Sequence, residues 1–193
     1  MKKKNTNVFV MIVLVIVVFI LGYYTYLSNQ TKNKQGTTTK TEKEELLDNN
    51  FAENYPKTVR EMMKTYCKYL KMAYSGGCTD EELRQLNSQM RQMLDDELLA
   101  NNPADRQLNG LKTDIILYEE KKQKFIGYTL EEASQIQYNK EEGKEYAKTK
   151  VLLNFKVGTD SVTMEQEYLL RKDEMERWKI MGWQTVKPKN ANK

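Results

Sequence analysis

Apolar positions fall into three regimes along the chain, and each regime predicts a different kind of structure. From Val8 to Leu27 they are nearly unbroken: VFVMIVLVIVVFILGYYTYL carries no charged residue. At about 1.5 Å rise per residue, a helix over this stretch is ~30 Å long, the thickness of a bilayer's hydrocarbon core. The pattern predicts a transmembrane helix over 8–27 that contacts the lipid bilayer. Lys2, Lys3 and Lys4 precede it, and no comparable cluster directly follows Leu27. Basic flanks stay in the cytoplasm, so residues 1–7 are expected inside and the rest of the chain outside. The run ends in Tyr23, Tyr24 and Tyr26 rather than at a small-residue cleavage site, which favours an uncleaved anchor.

In the second regime the apolar residues recur every three or four positions. Residues 28–50 come first and are polar, with few apolar positions before Leu46 and Leu47, so they read as a flexible linker. Val59, Met62, Met63, Tyr66, Leu70, Ala73 and Tyr74 then form a helical stripe, with Pro56 placed in its first turn and Ser75-Gly76-Gly77 ending it. Thr79 and Glu82 have the spacing of a capping box ahead of Leu83, Leu86, Met90, Met93 and Leu94, a second helix expected to run on to Leu98 and Leu99. Asn101-Asn102-Pro103 breaks the pattern and starts a third helix along Leu108, Leu111, Ile115 and Tyr118.

After Lys124 the period drops to two. Ile126, Tyr128, Leu130, Ser134, Ile136 and Tyr138 share one parity, with Glu132 as an interruption, and Asn139 to Lys144 reads as a hairpin connection. Ala147, Thr149, Val151, Leu153, Phe155 and Val157 form the clearest strand face, opposite Lys148, Lys150, Asn154 and Lys156. Gly158-Thr159-Asp160 turns the chain into Val162, Met164, Gln166, Tyr168 and Leu170, and a loop over 173–176 leads to Trp178, Ile180 and Trp183. Trp178 and Trp183 differ by an odd number, so a bulge near Gly182 is needed to put them on one face. Residues 187–193 read as a disordered tail. The expected fold class is α+β: three helices on a four-stranded antiparallel meander, forming one domain over 51–186.

Charge and composition narrow the chemistry. Lys and Arg number 31 against 27 acidic residues, and with the three lysines ahead of the anchor set aside the balance is nearly even. That disfavours a nucleic-acid partner, which needs basic residues concentrated on one face. The chain has no histidine, which removes the usual general base, the Ser-His and Cys-His nucleophile pairs, and His-containing metal sites. No catalytic residue, cofactor or metal site is therefore predicted. The acidic pairs Asp95-Asp96, Glu131-Glu132 and Glu141-Glu142 diverge in regular structure, and Glu165 and Glu167 fall on the polar strand face. Cys67 and Cys78 are a candidate disulfide closing a ten-residue loop. Cys67 sits about two turns, ~10 Å, before its helix ends, so two free thiols are the alternative. Tyr128, Tyr138, Phe155, Tyr168 and Trp178 are candidate pocket-lining residues, with plain core packing as the competing reading.

The closing segment Tyr168-Leu-Leu-Arg-Lys-Asp-Glu and Arg177-Trp-Lys-Ile-Met-Gly-Trp183 resembles the final hairpin of NTF2-like α+β cone (cystatin-like) domains. Together with Asn54-Tyr-Pro-Lys-Thr and Asp95-Asp-Glu-Leu-Leu-Ala-Asn-Asn-Pro103, it resembles a family of uncharacterised Firmicutes membrane proteins with one N-terminal span. That resemblance implies a fold and a location but no activity. The expectation is a single-pass cell-membrane protein, N-terminus cytoplasmic, whose extracytoplasmic domain is a non-enzymatic module that binds an envelope protein. The alternative is a small-ligand or peptidoglycan-related binding domain with a pocket in the cone.

Overall fold

A computed structural model describes residues 41–186. Five α-helices precede five strands: α1 Glu42–Leu47, α2 Val59–Tyr74, α3 Asp80–Arg91, α4 Asp96–Asn101, α5 Ala104–Glu120, β1 Gln123–Leu130, β2 Gln137–Glu141, β3 Lys144–Val157, β4 Asp160–Lys172 and β5 Trp178–Thr185. A 3-10 turn at Ala133–Gln135 separates β1 from β2.

The two amphipathic helices α2 and α3 begin at full capping boxes. Thr58 accepts from the Glu61 amide while the Glu61 carboxylate accepts back from Thr58 N–H, and Thr79 and Glu82 do the same. Each box satisfies two N–H groups that a helix start otherwise leaves open. The first of these corrects the placement of Pro56, which lies ahead of the cap rather than in the first turn. Gly76 and Gly77 follow α2 at φ +78° and +81°, the left-handed region that lets the chain reverse there. The buried stripe of α2, from Val59 through Met62, Met63, Tyr66 and Cys67 to Ala73, lies on β1, and α5 packs on both α3 and β1.

The sheet is antiparallel, and its strand order β1-β3-β4-β5 leaves β2 beside the first half of β3. β1 pairs with Val151–Val157 of β3 and β2 with Lys144–Lys148, so the two occupy one edge as a single strand interrupted over 131–136. Glu131 closes the gap: its Oε2 accepts from Thr149 Oγ1 and from the Lys150 amide, both at 3.0 Å. That bond also satisfies Thr149, the polar member of the otherwise apolar β3 face. Ala147, Thr149, Val151, Leu153 and Phe155 are all buried, as their alternation requires, while Lys148 and Lys150 on the other face pair with Glu167 and Glu165 at 2.9 and 2.8 Å. The hairpin between β2 and β3 needs only Glu142 (φ +50°) and Gly143 (φ +81°), the two left-handed positions of a type I′ turn.

The α+β expectation is corrected in its parts. Three helices become five, because residues 92–95 leave the second predicted helix and Asp95 caps a separate α4. The cause is pairing: Ile180 N–H donates to Met93 O at 2.9 Å and Asp95 N–H to Ile180 O at 2.8 Å, which covers part of the outer edge of β5. The stretch expected to be a linker up to residue 50 ends in α1, whose Leu46 is buried and whose last carbonyls accept from Tyr69, Gln85 and Gln89. The four-stranded meander becomes five strands. A bulge at Ile126 shifts the phase of β1, so Phe125 is buried and Ile126, expected inside, is 48% exposed. Among the described residues no helix is long and apolar enough to cross a membrane, so a single-pass membrane protein with an extracytoplasmic domain is not supported. The stretch 8–27 on which that expectation rested lies outside the described residues, as do 1–7, 28–40 and the expected tail 187–193.

Candidate functional site

Two adjoining cavities open between the helices and the sheet. One, of about 220 Å³, lies among α2, α3, α4 and α5; the other, of about 160 Å³, lies between α2, α5 and the buried sheet face. Both are lined by Tyr66, Leu70, Tyr74, Asp114 and Trp183, which makes these five side chains the common wall. The elements converge here for local reasons. Tyr66, Leu70 and Tyr74 are spaced four apart on α2, while Gly110, Leu111, Asp114 and Tyr118 recur at three and four on α5. Trp183 reaches the same face as Trp178 and Ile180 because Met181 is an extra residue, slipping the register between Leu169↔Gly182 and Leu170↔Ile180. The expected bulge therefore exists, one residue before Gly182.

Aromatic rings dominate the walls. Tyr66 packs edge-on to Tyr168 at 6.1 Å, Tyr168 stacks on Trp183 at 6.0 Å, and Tyr74 meets Tyr118 at 5.1 Å, which in turn meets Phe155 edge-on at 5.5 Å. Burial, first among the causes, raises the ionisation of Tyr66, Tyr74 and Tyr168 far above the ordinary phenol range, so these hydroxyls stay neutral donors. Tyr168 donates to Gln166 Oε1 at 2.7 Å and Tyr74 to Asp114 Oδ2 at 3.2 Å. One polar atom lining the larger cavity is unsatisfied among the described residues: Asn87, 4% exposed, donates a long 3.5 Å bond to Ala104 O, while its buried Oδ1 has no partner. An acceptor facing a cavity of this size is open to a water or to a ligand's donor.

The sequence-predicted pocket residues separate. Phe155 and Tyr168 line the smaller cavity. Tyr128 lies along α2 and donates to Lys64 O at 3.4 Å. Tyr138 and Trp178 meet each other at 5.7 Å elsewhere, with Tyr138 exposed and Lys172 over the indole. The residues that sequence reasoning missed are Asn87, Asp114, Trp183 and the α2 tyrosines. Their signal was present in the polar neighbours of each apolar stripe, since Gly110 and Asp114 flank Leu111 at helical spacing. Among the described residues, no cluster of three or more His, Cys, Asp or Glu side chains is gathered to hold a metal ion. The remaining candidate pair, Cys67 and Cys78, consists of free thiols. Cys67 points into the core, where burial pushes its thiol up to about 12, and Cys78 lies beyond the helix end, donating to Met72 O at 3.6 Å. Native, unreduced protein is therefore expected to alkylate first at Cys78, the less buried thiol, and at Cys67 only on unfolding. Mass spectrometry showing both sulfurs protected until a reductant is added would establish the bridge instead.

A family model described as "Domain of unknown function (DUF6715)" matches residues 1–183. No curated protein matches the chain.

Proposed function

We propose, for a chain that belongs to the family described as "Domain of unknown function (DUF6715)", that the domain is a non-enzymatic binding module whose helix–sheet cavity takes a small, partly apolar molecule. One observation carries this reading: two hollows that open to solvent between the helices and the sheet meet at one set of side chains. Here hollows of about 220 and 160 Å³ meet at a shared, largely aromatic wall, and the larger one is also lined by Asn87, whose Oδ1 has no partner among the described residues. Apolar walls with a few placed polar groups are the usual make-up of a small-molecule site.

Gly110 supplies the test. It lines the larger cavity within α5, and a Cβ built there meets nothing within 4 Å. Glycine in a helix interior costs about 0.5–1 kcal/mol relative to a good helix former. Gly110→Leu is thus expected to raise stability slightly while closing the mouth. In an NMR titration with a set of small fragments, the Trp183 indole and Asn87 amide signals of the wild-type protein should shift saturably, and those of the variant should not. Fragments that leave both signals unmoved in the wild type would overturn the reading.

A second reading, a protein partner, is favoured by the sheet rim. Leu169 and Trp183 remain 43% and 45% exposed beside a hollow of about 410 Å³ that Lys148, Glu167 and Gln184 also line. Leu169→Lys distinguishes the two, because Leu169 lies outside both helix–sheet cavities and its replacement should leave fragment binding unchanged.

A further inference from the structure

We infer that the molecule held in the helix–sheet cavity is an organic cation, an alkylammonium-type head group with Asp114 as its counter-ion. The inference rests on the binding reading above and deepens it. Its basis is the charge of the lining. The chain has 31 Lys and Arg, yet no described lysine or arginine lines either cavity, and the one charged side chain on both walls is the Asp114 carboxylate. Asp114 is itself exposed and is in none of the ion pairs among the described residues; its Oδ2 accepts from the Tyr74 hydroxyl at 3.2 Å. Arg91 donates at 2.7 Å to Asn102 O and to Gln107 Oε1, two lining residues, but is not itself on the wall.

An anion would find no positive group here and would face a carboxylate. An uncharged apolar molecule would fit the rings but gain nothing from the carboxylate beside them. A cation answers each feature. The faces of Tyr66, Tyr74, Tyr118 and Trp183 carry the negative side of the ring quadrupole, which attracts ammonium groups. The carboxylate supplies the opposite charge, and an N–H or O–H donor elsewhere on the ligand would meet Asn87 Oδ1.

Choline and its uncharged carbon isostere dimethylbutanol are the probes, titrated against the full chain with the Trp183 and Asn87 signals as readout. Choline should bind about three- to tenfold more tightly than the isostere, the scale of cation–π and ion-pair attraction where the carboxylate is exposed. Asp114→Asn should weaken choline by a similar factor and leave the isostere unchanged. Equal binding of the two probes, or an isostere that binds better, overturns the cation assignment and leaves the cavity as a site for neutral molecules. Uncharged fragments that bind while choline does not have the same consequence. Failure of every probe and fragment removes the underlying binding reading as well.

Discussion

Replacing Arg171 with methionine is expected to destabilise the domain by about 3–5 kcal/mol, because it strands a buried carboxylate. Arg171 on β4 reaches Asp95 through two bonds, Nη2 to Oδ1 at 2.7 Å and Nε to Oδ2 at 3.1 Å, and its Nη1 reaches Glu97 at 2.9 Å. The side chains of Arg171 and Asp95 are only 13% and 6% exposed, so this pair is not a solvated surface contact. Asp95 also accepts from the Glu97 amide and caps α4, while its own N–H pairs with Ile180 O. One residue thus joins a helix start, the covered edge of β5 and the middle of the sheet. At roughly 2–4 °C per kcal/mol for a domain of this size, the variant should melt about 6–20 °C lower. Arg171→Lys should recover part of the loss, since one ammonium cannot span both carboxylate oxygens. The double variant Arg171→Met with Asp95→Leu should recover more, since an apolar pair strands no charge, although the α4 cap stays lost. Hydrogen exchange locates the effect: the Ile180 and Asp95 amides should lose protection first. A loss below about 1 kcal/mol with both amides still protected would show that the pair does not hold this junction.

That junction also shows what the sequence could reveal. Asp95 reads as one half of an acidic pair with no convergent purpose, and nothing local connects it to Arg171, 76 positions away. Periodicity reports which face a residue shares with its neighbours, and it served well wherever the backbone kept its period. The inward face of β3 is therefore as expected; α2 keeps most of its stripe but buries Cys67 and Tyr69 and leaves Leu70 and Tyr74 partly exposed, and Met93 and Leu94 are buried beyond the end of α3. It failed at the two bulges. One extra residue at Ile126 reversed the parity of everything before it, and only the odd spacing of Trp178 and Trp183 betrayed the other. Six-residue helices such as α1 and α4 are too short for a stripe and owe their existence to contacts made elsewhere. The cavity was legible only in its strand residues, Phe155 and Tyr168. Its remaining wall is assembled from α2, α3, α5 and β5, and three of those contributions are polar or exposed positions that core-finding passes over.

Phe155→Ala tests how the cavity wall is held. Phe155 is 2% exposed, pairs across the sheet with Phe125 at 5.2 Å between ring centroids, and takes Tyr118 edge-on from α5. Truncating a buried phenylalanine costs about 3–5 kcal/mol, part lost transfer energy and part the void left behind. Here the void adjoins space that Asp114, Gln166 and the tyrosine hydroxyls make polar enough for water, so the enlarged cavity need not stay empty. The expected loss therefore lies at the lower end, near about 3 kcal/mol, measured by urea unfolding with an unchanged slope. Tyr118 lines the same cavity from the helix side but is only half-buried, and Tyr118→Ala should cost distinctly less, about 1–2 kcal/mol. This asymmetry is what a binding site built on a core requires: strand residues fix the floor, and helix residues can be changed without loss of the fold. Equal costs for the two variants would mean that Tyr118 is core as well, and the space beside it a packing defect rather than a site.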